Sequence, residues 1–167
     1  ETDIRDGLDY DLFLRNVSRV CKLFGDREDF TLTFMCTYNA LSVTSFSTFI
    51  NDLIDIRWLY GRDCMYIDIP YVRYPEMMDV KVLPESYVSY MEDTVNTMLT
   101  HVDDGLMHTS EVDKLKRIIA YYKSTVNTDQ SRHRANLKAY CVELDRRRGK
   151  DFVTVFPEYK EWYEKIE

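Results

Sequence analysis

From Tyr10 to Phe24 the apolar residues Phe13, Val17, Val20, Cys21 and Phe24 recur every three to four positions, the spacing of a helix that buries one face, and Gly25 is placed to end it. The next apolar run has a different period. Over Phe30 to Thr37, Leu32, Phe34 and Cys36 alternate with Thr31, Thr33, Met35 and Thr37, which predicts a strand with two unlike faces. Ser45 stands where it can cap a second helix, whose stripe is Phe46, Phe49, Ile50, Leu53 and Ile54 and whose end is marked by Gly61. Cys64 to Tyr71 predicts a second strand, with Met65, Ile67 and Ile69 toward the helices and Tyr66, Asp68 and Pro70 on the opposite side. Strand, helix, strand over this length is the pattern of a right-handed crossover, so the two strands are expected side by side and parallel.

An extended segment containing Pro75 leads to Leu83, and four further helical stripes follow. Val88, Met91, Val95, Met98 and Leu99 form the first, opening near Pro84. Ser110 and Asp113 resemble a capping box for the second, which carries Val112, Leu115, Ile119 and Tyr122. Leu137, Tyr140, Cys141 and Leu144 mark the third, which ends near Gly149, and Tyr159, Trp162, Tyr163 and Ile166 mark a last one after Pro157. The fold class is therefore α/β with a helical second part, and the polar stretch Thr125 to Ser131 is the one candidate boundary. Two parallel strands alone leave long unpaired edges. Further strands are expected before Glu1, or from an oligomer or partner, and the chain by itself is expected to be marginally stable or to self-associate.

Composition narrows the classes. A chain of 167 residues, 45% of them apolar and only five of them glycine, belongs with packed domains rather than disordered ones. Its net charge of −7 disfavours broad attraction to nucleic acid or to an anionic membrane. No apolar run approaches a membrane span and no secretory start is visible. The four cysteines are widely spaced, which favours a reduced, cytoplasmic protein over a disulfide framework. There is no C-x-x-C pair, and His101, His108 and His133 lack metal-ligand spacing, so no metal site is expected within this chain.

Candidate chemistry lies at the strand ends, because in parallel α/β proteins the carboxyl ends of the strands and the loops after them form the ligand-facing rim. Thr33, Met35, Thr37 and Asn39 share one side with Tyr66, Asp68 and Pro70, a surface more polar than a structural core needs. Such a surface can hydrogen-bond a cofactor or substrate. The plainer alternative is that the threonines are β-formers and that Asn39 bonds its own backbone in a turn. Asp68 within a strand needs a partner or solvent, and Arg73 is a candidate for that partner. Arg146, Arg147 and Arg148 before Gly149 read first as cations at a helix C-terminus and only second as a nucleic-acid contact.

Three stretches resemble the radical S-adenosylmethionine enzymes: IRDGLDYDLFLRNV (Ile4 to Val17), TFMCTYNALSV (Thr33 to Val43) and IDIPYVRYPEMMDVKVLP (Ile67 to Pro84). The closing RRRGKDFVTVFPEYKEWY is similar to the last helices of the same group. The resemblance implies that residues 1–84 are the C-terminal portion of a partial (β/α)6 TIM-like barrel and that residues 85–167 are a helical region packed on it. It also implies an intact enzyme in which a 4Fe-4S cluster reductively cleaves S-adenosylmethionine to a 5′-deoxyadenosyl radical. The family holds that cluster with C-x-x-x-C-x-x-C, a motif this chain lacks, and Cys36 and Cys64 do not match it. By position, Thr37, Asn39, Pro70 and Arg73 would contact the cofactor, while Thr33, Met35, Tyr66 and Asp68 would line the substrate pocket. The chain alone is then expected to be inactive. The competing expectations are a non-catalytic α/β interaction module and, behind it, a nucleic-acid binder using Arg146 to Arg148.

Overall fold

A computed structural model describes residues 8–125 and 127–167, so Ile4 to Gly7 of the first resembling stretch lie outside the described residues. The chain is mostly helical, with one small parallel sheet: α1 (Tyr10–Phe24), β1 (Thr33–Met35), α2 (Phe46–Tyr60), β2 (Tyr66–Asp68), α3 (Val88–Asp103), α4 (Thr109–Thr125), α5 (Ser131–Arg148), α6 (Phe152–Val155) and α7 (Lys160–Glu164). The expected parallel pairing is present, with Thr33 opposite Tyr66, Phe34 opposite Ile67 and Met35 opposite Asp68. Both strands are three residues long, much shorter than the alternating runs that predict them. Beyond Met35 inter-strand hydrogen bonds continue from Cys36 to Asp68, Tyr38 to Pro70 and Val72 to Tyr38, but Pro70 has no N–H to donate, and regular pairing is reduced to a bridge between Tyr38 and Tyr71.

The alternation nonetheless sorts the two faces as expected. Met65, Ile67 and Ile69 are buried toward the helices, and Phe34 meets Phe13 of α1 edge to face. Thr33, Met35, Thr37 and Tyr66 are exposed on the other side. One apolar core runs through both halves of the chain, joining Ile50, Leu53 and Ile67 to Met91, Leu115, Leu137 and Tyr159.

Several local expectations change. Ser45 is the cap residue of α2, but its side chain makes no cap hydrogen bond. At the start of α4 the box is closed by Glu111, whose carboxylate accepts the His108 backbone N–H, rather than by Ser110 and Asp113. The stripe after Pro157 is divided between a short 3-10 turn, Pro157–Tyr159, and α7. Gly149 takes the left-handed conformation that ends α5, with φ of 62°. Gly25 does not; its φ is −61°, and its requirement is close approach, since a Cβ there would lie 3.1 Å from the Cβ of Cys64.

Candidate functional site at the strand exits

The free edge of β2 is closed by side chains, against the expectation of two open edges. Within the sheet, the Tyr66 N–H donates to the Leu32 carbonyl at 2.8 Å and the Cys36 N–H to the Asp68 carbonyl at 2.7 Å. The alternating geometry of a strand therefore turns the N–H and carbonyl of Ile67 the other way, toward where a further strand would lie. Glu111 accepts that N–H at 2.7 Å, and Lys114 Nζ donates to that carbonyl at 3.2 Å. One turn of α4 thus substitutes for a strand.

Glu111 is held in turn by Arg57, and both side chains are almost fully buried, at 2% and 0% exposure. The guanidinium grips the carboxylate through two bonds of 2.9 and 2.7 Å, and also donates to the carbonyls of Leu106 and Met65. Burial pushes the Glu111 carboxyl up, but the hydrogen bonds and charge of Arg57 and the N–H groups of His108 and Ile67 together outweigh it, leaving the net shift downward. Such a pair binds α2, β2, α4 and the loop after α3 into one unit.

Asp68 finds its partner in Lys114, at 2.9 Å, and not in Arg73. The Lys114 hydrogen bond is the main cause holding its carboxyl below the ordinary value, with the charges of Lys114 and Arg117 adding to it. Arg73 lies instead over the rings of Tyr71 and Tyr121, at 5.3 and 5.0 Å, and donates to the Tyr71 hydroxyl at 3.0 Å. Tyr66 stacks on His108, whose Nε2 is 3.0 Å from an Asp63 oxygen. Four of the residues expected to face one side thus pair in two rows, Thr33 with Tyr66 and Met35 with Asp68, to which the structure adds His108 beside Tyr66 and Lys114 beside Asp68.

Asn39 answers to the plainer reading of its chemistry. Its side-chain oxygen accepts the Leu41 N–H at 2.9 Å, its amide donates to the Thr37 carbonyl at 3.2 Å, and Ser42 closes the same turn through its hydroxyl. That turn ends β1 and shapes one wall of a groove of about 460 Å³ lined by Phe13, Phe34, Met35, Thr37, Asn39 and Phe46. The groove runs along the outer edge of β1, where no strand pairs among the described residues. Met35, 70% exposed, projects into this region.

Comparisons with protein-family models, curated proteins and solved structures find no match. Among the described residues no group of His, Cys, Asp and Glu gathers in a way that would hold a metal ion. The thiols of Cys21, Cys64 and Cys141 are buried apart from any such group, and no cysteine is in a disulfide among the described residues. These residues therefore do not fit a 4Fe-4S cluster. No described helix is long and apolar enough to cross a membrane. The arginines before Gly149 are engaged locally, since Glu143 binds both Arg146 and Arg147, and those bonds hold its carboxyl down at about 2.

Sequence reasoning missed Arg57, Glu111 and Lys114. A signal was present: Arg57 follows Leu53 and Ile54 by four and three positions, and Glu111 precedes Leu115 by four, so each charge sits on a buried stripe. Opposite charges on two buried stripes require each other.

Proposed function

We propose that the chain is the C-terminal part of a radical S-adenosylmethionine enzyme, its two strands closing one side of a partial (β/α)6 barrel. What carries the reading is the asymmetry of the sheet: the β2 edge is finished by Glu111 and Lys114, whereas the β1 edge borders an open groove. A last strand has the first kind of edge and an internal strand the second. The resemblance in Thr33 to Val43 and Ile67 to Pro84 falls on these strands and their exits.

In this reading S-adenosylmethionine, with a cluster that the described residues do not hold, would supply the radical chemistry, and no step of that reaction is assigned to this chain. Its residues bind and orient. Thr37, Asn39 and Pro70 stand at the exits of the paired strands and contact the cofactor, with Asn39 also fixing the turn that sets their height. Thr33, Met35, Tyr66 and Asp68 present the substrate side. Arg73, expected by position to contact the cofactor, is held instead on the rings of Tyr71 and Tyr121 beside α4, and in this reading it is reassigned to the substrate.

Titration of S-adenosylmethionine into protein made from the complete reading frame tests the reading. Thr37→Val, a nearly isosteric change at an exposed side chain, is expected to weaken binding about tenfold, or about 1.4 kcal/mol, with the melting temperature unchanged. Equal affinity in the variant would remove Thr37 from the site, and absence of binding by the parent protein would remove the reading.

A further inference from the structure

We propose that the exit of β2 and the facing side of α4 form a site for an oxyanion carried by the substrate, a carboxylate or a phosphate, with Arg73 and Arg117 as its ligands. The inference rests on the reading that the strand exits face the substrate.

Lys114, Arg117 and Tyr121 follow one another on α4 at intervals of three and four, so they share one side of that helix. Lys114 reaches Asp68 on β2, and the charge of Arg117 also acts on Asp68, which sets that side of α4 against the exit of the strand. Arg73, five residues beyond Asp68, is drawn to the same side by Tyr121. Tyr71 and Tyr121 are themselves in ring contact at 5.0 Å, and the Arg73 guanidinium lies over both.

Arg73, Lys114 and Arg117 stand near Asp68 and Asp79, with Asp113 one turn before Arg117 on α4. Asp68 is bonded to Lys114, and Asp79 accepts from the Tyr121 hydroxyl and the Lys81 N–H, so neither carboxylate is bonded to Arg73 or Arg117. Arg117 is exposed and makes no ion pair among the described residues. Two guanidiniums that bond no carboxylate among the described residues are a local feature on a chain of net −7. Its chemistry is selective too. A guanidinium offers a planar fork that matches two oxygens of a carboxylate or phosphate, and one already stacked on aromatic rings loses less freedom when it binds. Lys114, committed to Asp68 and the Ile67 carbonyl, holds the rim in place rather than serving as the free cation.

The experiment is isothermal titration of the full-length protein with two probes, pyrophosphate and glutarate, at low and moderate salt and with no S-adenosylmethionine present. At least one probe is expected to bind, and which one binds assigns the oxyanion to phosphate or carboxylate. Arg117→Gln and Arg73→Gln should each weaken that binding tenfold or more, while Arg146→Gln, at the Glu143-paired end of α5, should leave it unchanged. Binding of neither probe overturns the proposal, as does equal binding by the Arg73 and Arg117 variants, or a loss in Arg146→Gln as large as theirs. Because the cofactor is absent, failure here is distinguishable from failure of the Thr37→Val titration: loss of the anion site leaves the cofactor reading standing, whereas anion binding by a protein that does not bind S-adenosylmethionine would keep the site and remove its assignment to that enzyme's substrate.

Discussion

Glu111→Ala is expected to destabilise the protein by about 3–5 kcal/mol, the cost of leaving a buried charge without its partner. Arg57 would keep its bonds to the carbonyls of Leu106 and Met65 but lose the carboxylate that neutralises it. The N–H groups of Ile67 and His108 would lose their acceptor at the same time. Glu111→Gln, which retains one acceptor oxygen, should cost less than Glu111→Ala. Combining Arg57→Met with Glu111→Leu should not restore the loss, since the carbonyls of Leu106 and Met65 and the N–H groups of Ile67 and His108 would all lack these partners. Chemical denaturation of the parent protein and the two Glu111 variants measures the order, and a Glu111→Ala loss below about 1 kcal/mol would show that the clasp contributes little.

The same carboxylate gives the stability a pH dependence of known sign. Its folded pKa lies below its ordinary value of 4.5, so its contribution is fully present above that value and is lost as pH falls through the folded pKa. Stability should therefore decline on the acid side of pH 4.5, and Glu111→Ala should flatten that limb. Asp68 shifts in the same direction, but it is partly exposed and its share is smaller.

Tyr38→Phe is expected to act in the opposite direction and stabilise the protein by about 1–3 kcal/mol. The Tyr38 side chain is fully buried, and its hydroxyl has no hydrogen-bond partner among the described residues. Burial pushes its pKa upward, as expected of a phenol denied water. The ring packs edge to face on Phe46 at 4.9 Å, a contact phenylalanine keeps. For a domain of this size each kcal/mol raises the melting temperature by roughly 2–4 °C, well within the reach of calorimetry. A lower melting temperature would mean that the hydroxyl contributes to the fold.

Much of the fold was legible because period and punctuation agree. The apolar spacing in Tyr10 to Phe24 and the glycine after Arg148 describe α1 and the end of α5 as found. The two faces of each strand were legible for the same reason, since alternation survives even where pairing does not. Strand length was not legible from alternation alone: the hydrogen bonds run on from Cys36 N–H to the Asp68 carbonyl, Tyr38 N–H to the Pro70 carbonyl and Val72 N–H to the Tyr38 carbonyl, but Pro70 has no N–H for the rung between them, which leaves one bridge at Tyr38 and Tyr71. Nor was the finished edge of β2 legible, for it depends on side chains more than forty positions away, Glu111 and Lys114, meeting Ile67. Proximity in sequence points to the wrong partner for Asp68. Arg73 is five residues away but is claimed by two aromatic rings, which leaves Lys114 to bind the carboxylate.

The most direct test of the central claim is the genomic reading frame immediately upstream of Glu1. An enzyme whose last two strands are β1 and β2 should have a frame that runs on through about four further βα units, as a six-strand version of the barrel requires. It should also carry C-x-x-x-C-x-x-C after the first of them. A start codon directly before Glu1 would contradict the account and leave the interaction module, with the groove along β1 as its binding surface, as the better description.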